Sequence, residues 1–338
     1  PTCGAKFEHL LPETGKVGLA PLCGSAPHVG IVGYALGGGY SLLSRQYGLA
    51  IDHVLSAQVV NAEGELIRAS ATENPDLFWA IRGGGGAFGV ITELEMALVP
   101  VATVYGGATI YPAENVEELL NAYAAWIATL PDNVTSCLQL MNLPPAPFLP
   151  PILQGRAVVN INACVCGDLE NAEELVRPMR ELGEPLIDMW SEFPFAEAGR
   201  VFQDPVDPMP AIGKGVLLTD FNAETVANLA KANGPVAQSP IVSLQVRHLG
   251  GASARVAHEA TPIGCRREAA YLVYALAVPN PMAPPEAIAA HQERIFEALM
   301  PHTLCNGPLN FLGEGNLKAE SIRGVYNEAS YRRLCEVK

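Results

Sequence analysis

Apolar and polar side chains alternate along three segments, Val134 to Met141, Arg156 to Cys166 and Ile241 to His248, with the two-residue period of a strand. Further strands are predicted at Val17 to Leu22, Phe88 to Val99, Tyr105 to Tyr111 and Ala269 to Val278. Val54 to Asn61, the turn at Glu63-Gly64 and Glu65 to Ser70 read as a hairpin. Helical periodicity runs through Glu114 to Leu130, Leu169 to Leu182, Ala223 to Ala232 and Pro284 to Met300. The first of these carries its acidic residues early, and the last opens on prolines, which a first turn tolerates. A shorter helix, DLFWAIR, starts at Asn74-Pro75-Asp76 and is broken by Gly83 to Gly86, while Pro144 to Pro151 is a loop. Strands interleaved with a few helices, several strands reading as hairpin partners, predict an α+β fold with an antiparallel sheet backed by helices on one face.

Strand parity then separates two faces. Val159, Ile161, Ala163 and Val165 point one way, and Asn160, Asn162, Cys164 and Cys166 the other. On the neighbouring candidates Thr135, Cys137, Gln139 and Met141 share a face, as do Ser243, Gln245 and Arg247. One face is apolar, fit for helices. The other is made mostly of uncharged hydrogen-bonding groups. Simple solvent exposure would account for polarity, but a solvated face is usually rich in Lys and Glu, so a semi-buried pocket is the expectation. Gln139, Asn160, Asn162, Gln245 and Arg247 are the candidate substrate-binding residues. Buried and unpaired, Arg247 would be costly, so it should pair with an acidic substrate group, an acidic side chain or a phosphate, or reach solvent. A one-residue register error would instead send Val159 and Ile161 into the cavity.

The densest local signal is Gly24 to Gly48, which holds seven glycines and one proline in twenty-five residues. Glycine is crowded this way where backbone turns tightly between buried strands, or where amides approach a ligand such as a phosphate. The Walker spacing GxxxxGK[ST] is absent, and the only basic residue there besides His28 is Arg45.

The chain has 338 residues, about two domains' worth, and 49% hydrophobic content, enough for a sizeable core. A formal charge of −14 argues against nucleic acid or an anionic membrane as the main partner, and no apolar run reaches membrane-spanning length. Eight cysteines are too sparse for a disulfide scaffold. The CxC at Cys164 and Cys166 reads as a metal-ligating pair or, with no His near it in sequence, as core thiols; no metal is expected.

Order and spacing of GSAPHVGIVGYALGGG, SRQYGLAIDHV, VVNAEGE, NPDLFWAIRGGGG and FGVIT, between about Gly18 and Pro100, resemble the FAD-binding domain of the vanillyl-alcohol oxidase and p-cresol methylhydroxylase family, most nearly its berberine-bridge-enzyme-like branch. The resemblance implies a p-cresol-methylhydroxylase-type FAD-binding domain over 1–100, a substrate domain over 101–303 whose sheet roofs the flavin ring, and a segment over 304–338 returning to the first domain. It implies FAD as cofactor, with Gly24, Ser25, Ala26, Pro27, Gly30, Gly33, Gly38, Gly39, Tyr40, Gly89, Val90 and Ile91 as cofactor-binding residues. On this basis a β-branched residue at Gly39 should block the flavin's approach path.

The family pattern is not followed everywhere. The cysteine that bicovalent members attach to flavin is replaced by Ala26, with Cys23 three residues off, so no thioether is expected. The family's frequent Asn is Ala87 here, and the counterpart of its Tyr-x-Asn is Pro308-Leu309-Asn310, so no catalytic side chain is identified. Pro1 opens without a start methionine, and the family's N-terminal subdomain and final segment have no counterpart; the expectation is that these parts are missing. Two functions fit: an FAD-dependent oxidoreductase acting on a small organic molecule, expected in secondary metabolism and in the cytoplasm, or a non-catalytic small-molecule-binding or sequestering protein of the same descent.

Overall fold

A computed structural model describes residues 1–338 apart from 208, 264–266 and 314–317. Helix α1 (Phe7–Gly15) precedes the glycine stretch, which holds α2 (Ile31–Leu36) and α3 (Ser44–Tyr47). Strands β1 (Val54–Val60) and β2 (Leu66–Ser70) form the expected antiparallel hairpin, and β3 (Val90–Met96) pairs with the other side of β1. Between them lies α4 (Pro75–Gly84), opened by Pro75 at its first turn and kinked where Arg82 and Gly83 leave helical geometry. This three-stranded sheet and its helices close over a core that includes Leu22, Ile31, Leu43, Val59, Ile81 and Leu94.

The second sheet has eight strands: β4 (Thr103–Pro112), β5 (Val134–Asn142), β6 (Ala157–Val165), β7 (Ile187–Pro194), β8 (Ile212–Leu218), β9 (Ser243–His248), β10 (Tyr271–Ala277) and β11 (Thr303–Asn306). Their order is β11-β8-β10-β9-β5-β6-β4-β7, and every pairing is antiparallel. Helices α5 (Val116–Ile127), α6 (Ala172–Arg180), α7 (Ala223–Asn233) and α8 (Pro285–Leu299) cover one face. Their Leu120, Tyr123, Val176, Leu229 and Ile295 pack with Leu138, Leu140, Val159, Ile161, Leu244 and Val246 of the strands. Each such aliphatic side chain, fully buried, contributes about 1.5–3 kcal/mol. The α+β class and the helix-backed antiparallel sheet therefore hold, and so does the parity of β5, β6 and β9.

Four departures from the sequence reading have physical reasons. Val17 to Leu22 is not a strand: turns at Val17 and Gly18 leave only an isolated bridge, Ala20 to Val99. The strand expected from Phe88 starts at Val90, because Gly89 has φ +135°. Strands β7, β8 and β11 were not foreseen, since Pro194, Gly213 and Gly215 interrupt their patterns and β11 has only four residues. Helix α1 contains Pro12, a sequence mark against a helix. After α9 (Ala319–Arg323), the last helix α10 (Glu328–Val337) lies on α4, where Leu334 meets Trp79 and Ala80 and Arg333 pairs with Asp76 at 2.9 Å.

Two buried histidines make this fold acid-sensitive. Burial pushes His248, stacked on Tyr271, down to about 3, and burial with the neighbouring Arg294 takes His291 to about 4, against an ordinary 6.5. Both are neutral in the folded chain and protonate near 6.5 once unfolded. The unfolded state thus binds more protons below that pH, and stability falls as pH drops from about 6.5 toward 4 and then 3. At pH 5 the His248 contribution alone is a loss of about 2 kcal/mol. Urea midpoints should be lower at pH 5 than at pH 7, with the gap reduced in His248→Gln; equal midpoints would contradict the assignment.

Candidate functional site

The face of the large sheet turned away from the helices carries the predicted polar set in register. Asn160, Gln139 and Gln245 stand directly opposite one another on β6, β5 and β9, followed by Tyr274 on β10. The next row on this face is Asn162, Cys137 and Arg247. The residues are buried rather than solvated: Asn162 is 0% exposed, Gln139 3% and Gln245 5%. Side-chain bonds join part of the set into one relay. Ser243 donates to Gln139 Oε1 at 3.1 Å, Gln245 Nε2 to the same oxygen at 3.2 Å, and Arg247 Nε to Gln245 Oε1 at 2.8 Å. Asn162 is different. Among the described residues its Nδ2 and Oδ1 have no hydrogen-bond partner, nor does Asn160 Oδ1. A buried amide left unpaired costs about 1–3 kcal/mol, so such groups are rare in a packed core.

Aromatic side chains frame this face. The Arg247 guanidinium lies 4.8 Å from the Phe202 ring centre and 5.0 Å from that of Phe311. Phe311 also packs edge-on against Tyr40 and Tyr274. Burial raises the Tyr274 hydroxyl, with Arg247 opposing, and pushes the Cys137 thiol up to about 12. A cavity of about 30 Å³ separates the face from the glycine stretch, lined by Ser25, Tyr40, Cys137, Phe202, Arg247 and neighbouring residues. Ser25 donates to Asp204 at 2.6 Å.

A larger cleft of about 320 Å³ opens between α2, the Gly85–Gly89 turn and the Leu309–Asn310 segment. Its walls are Val32, Gly33, Leu36, Gly37, Gly85, Gly86, Gly89, Ile91, Leu309 and Asn310. A Cβ placed on Gly33 or Gly86 would meet nothing within 4 Å, so backbone borders open space there. This wall suits a ligand that must lie close against main chain, as a dinucleotide does.

The expected cofactor residues divide accordingly. Gly33, Gly89 and Ile91 line the cleft, while Ser25 and Tyr40 line the cavity under the sheet. Gly30 caps α2 and bridges to Lys6. Ala26 and Pro27 accept backbone bonds from Val29 and Glu8, and Gly24 lies against the Tyr34 ring. Val90 is 64% exposed on its strand. Gly38 and Gly39 sit in packed surroundings. The Gly39 N–H is taken by Asn310 Oδ1 at 3.0 Å, and a Cβ on Gly39 would strike Ala50 at 2.4 Å and Tyr34 at 2.9 Å. Gly38 faces Asn310 and Ile263. A positive φ accounts for glycine at both positions, with close packing added at Gly39. Cys23 is wholly buried, its thiol pushed up to about 12, and Cys164 and Cys166 sit in the same core as thiols; among the described residues no His, Cys, Asp and Glu group could hold a metal.

Residues missed in the sequence are Tyr274, Phe202, Phe311, Gly37, Gly85 and Gly86. The alternation of YLVYALA could have put Tyr274 beside Gln245; nothing local marks the two phenylalanines, which arrive from distant turns. Arg45 had shown only as a basic residue. It is 6% exposed and clamps α3 to the large sheet, donating from Nε to Val134 O at 2.8 Å and from its fork to the Leu249 carbonyl.

A family model described as an FAD binding domain matches residues 2–70. (R)-6-hydroxynicotine oxidase of Paenarthrobacter nicotinovorans is 34% identical over 187 residues, 53% of this chain and 38% of that protein. An FAD-linked oxidoreductase of Bacillus subtilis is 29% identical over 267 residues, 76% of this chain and 56% of the relative. The chain therefore spans well under two thirds of either relative. The crystal structure of 6-hydroxy-D-nicotine oxidase from Arthrobacter nicotinovorans superposes with a TM-score of 0.80 at 26% identity, over 99% of this chain and 74% of that one. Among the described residues no helix is long and apolar enough to cross a membrane.

Proposed function

We propose that this chain, a relative of the FAD-linked oxidases that carries their FAD binding domain, forms most of an FAD-dependent oxidoreductase acting on a small organic molecule. The observation that carries the reading is the buried polar sheet face, whose Cys137 and Arg247 meet Ser25 and Tyr40 of the glycine-rich stretch across a narrow gap. Buried hydrogen-bonding groups without partners are what a substrate side needs and what a helix-packed sheet avoids. That the relatives are oxidases favours this reading over sequestration.

FAD, when bound, supplies the hydride acceptor. The chain's own residues do the rest. Gly33, Gly37, Gly85, Gly86 and Gly89 give the cofactor a wall of main chain in the cleft. Gln139, Asn160, Asn162, Gln245 and Arg247 orient the substrate. Tyr274, its hydroxyl raised by burial, keeps its proton at neutral pH and donates it to a substrate oxygen as a hydrogen bond. The framing rings of Phe202 and Phe311 keep water out. The division at residues 100 and 303, the cytoplasmic setting and a role in secondary metabolism belong to the same proposal.

The test is Asn162→Leu and Gln245→Leu, made singly. Each should weaken substrate binding about fivefold or more, the worth of one hydrogen bond of about 1 kcal/mol, with FAD content unchanged. Because the Asn162 amide is unpaired without ligand, Asn162→Leu should not lower the melting temperature. Normal substrate binding by both variants would place the substrate elsewhere.

A further inference from the structure

We infer that Tyr326, in the C-terminal segment, is a positioning residue for the cofactor: its hydroxyl fixes the Gly83–Gly86 turn that walls the larger cleft. The inference rests on the reading that this cleft holds FAD.

The turn cannot choose its own shape. Four consecutive glycines, Gly83 to Gly86, carry no side chain to select one backbone path, and Gly83 and Gly85 stand at φ +129° and +63°. Gly85 and Gly86 border the cleft directly. Both ends of the turn are anchored within the flavin-side elements. On the near side Arg82 folds back, its guanidinium 4.2 Å from the Phe78 ring centre and its Nη2 donating to Ala260 O at 2.9 Å. On the far side Gly89 lies against β1, where a Cβ would strike Val60 O at 2.6 Å.

The start of the glycine run is held from the other end of the chain. The Tyr326 hydroxyl donates to Gly83 O at 2.7 Å, where α4 leaves helical geometry. Gly83 is buried in the last turn of α4, where carbonyls lose their helix partners and take others. Ile263 closes the opposite side, 2.9 Å from where a Gly83 Cβ would stand. Tyr326 is itself well placed to act as a fixed post. It sits at the joint between α9 and α10, after the wholly buried Val325 and before Asn327, whose side chain caps α10 by accepting the Ser330 N–H at 2.7 Å. Its ring packs with Tyr40, Ile263 and Leu272. A phenylalanine would fill the same space and remove the bond alone. The glycine turn would then sample further conformations, and ordering it again would be charged to cofactor binding.

Full-length wild type, Tyr326→Phe and Arg333→Ala are titrated with FAD, read by quenching of flavin fluorescence, and compared by amide hydrogen exchange without FAD. Arg333→Ala is the control. It removes the pairing of α10 with Asp76 and the guanidinium 4.0 Å from the Trp79 ring centre, on the same two helices, and leaves the Gly83 carbonyl bonded. Tyr326→Phe should raise the FAD Kd about fivefold or more, the worth of one hydrogen bond, and speed exchange across residues 83–88 while the large sheet stays protected. Arg333→Ala should speed exchange in α10 with the FAD Kd unchanged. Unchanged FAD affinity in Tyr326→Phe overturns the inference. So does an equal loss of affinity in both variants, since Tyr326 would then be a prop for α10 and no more. Wild-type protein that takes up no FAD defeats the underlying reading as well; equal, tight FAD binding by wild type and Tyr326→Phe defeats this inference alone.

Discussion

Gly39→Val is expected to abolish FAD retention by unsettling the site's floor. The residue has φ +74°, a conformation that costs a β-branched side chain about 1–3 kcal/mol. Its Cβ would also lie 2.4 Å from the wholly buried Ala50 Cβ and 2.9 Å from the Tyr34 ring, closer than real Cβ contacts come. The Gly39 N–H anchors Asn310, whose Nδ2 donates to Tyr34 O at 3.0 Å. Displacing this strand of backbone therefore moves the Leu309–Asn310 wall of the cleft as well. Soluble protein should fall sharply, and what remains should melt well below wild type and bind FAD poorly. A normally stable variant that merely loses FAD would restore the approach-path explanation; a stable variant that keeps FAD would remove Gly39 from the account.

Asp52→Ala should be nearly as damaging, although Asp52 touches neither the cleft nor the polar face. Arg267 is 2% exposed and lies fork-to-fork on this carboxylate, at 2.5 and 3.1 Å, with Ser253 O and Thr261 Oγ1 as its other partners. Asp52 Oδ2 also accepts the Leu49 N–H at 3.1 Å, fixing the turn that follows the glycine stretch. Removing the carboxylate strands a buried guanidinium, at a cost of about 3–5 kcal/mol. Asp52→Asn keeps the turn bond but not the charge and should fall between. Denaturant unfolding orders the three; an Asp52→Ala midpoint within error of wild type would show that the pair contributes nothing.

These two residues also mark how far the sequence could be read. SRQYGLAIDHV stood out as a block, but its Arg45 and Asp52 are rivets, one to the large sheet and one to Arg267, and partners so far off in the chain leave no local trace. Strand parity was legible because a two-residue period has only two phases, and Asn160, Asn162, Gln139 and Gln245 fell into one of them. The edge strand β7 was not, because IDMWSEFP mixes Asp, Glu and Pro into a half-exposed strand. Glycine density alone does not separate its causes: Gly33 borders open space, whereas Gly39 has a positive φ and is crowded by Ala50 and Tyr34. Arg247 could only be posed as a question of partners until Gln245, Phe202 and Phe311 were placed beside it.

The central claim is that the glycine-rich cleft and the buried polar face together hold FAD over a substrate. Its most direct test is the visible spectrum of purified full-length protein, incubated with FAD and freed of excess. The account predicts flavin bands corresponding to about one FAD per chain, with no flavin adduct on any tryptic peptide containing Cys23. A colourless protein that takes up no supplied FAD would contradict it.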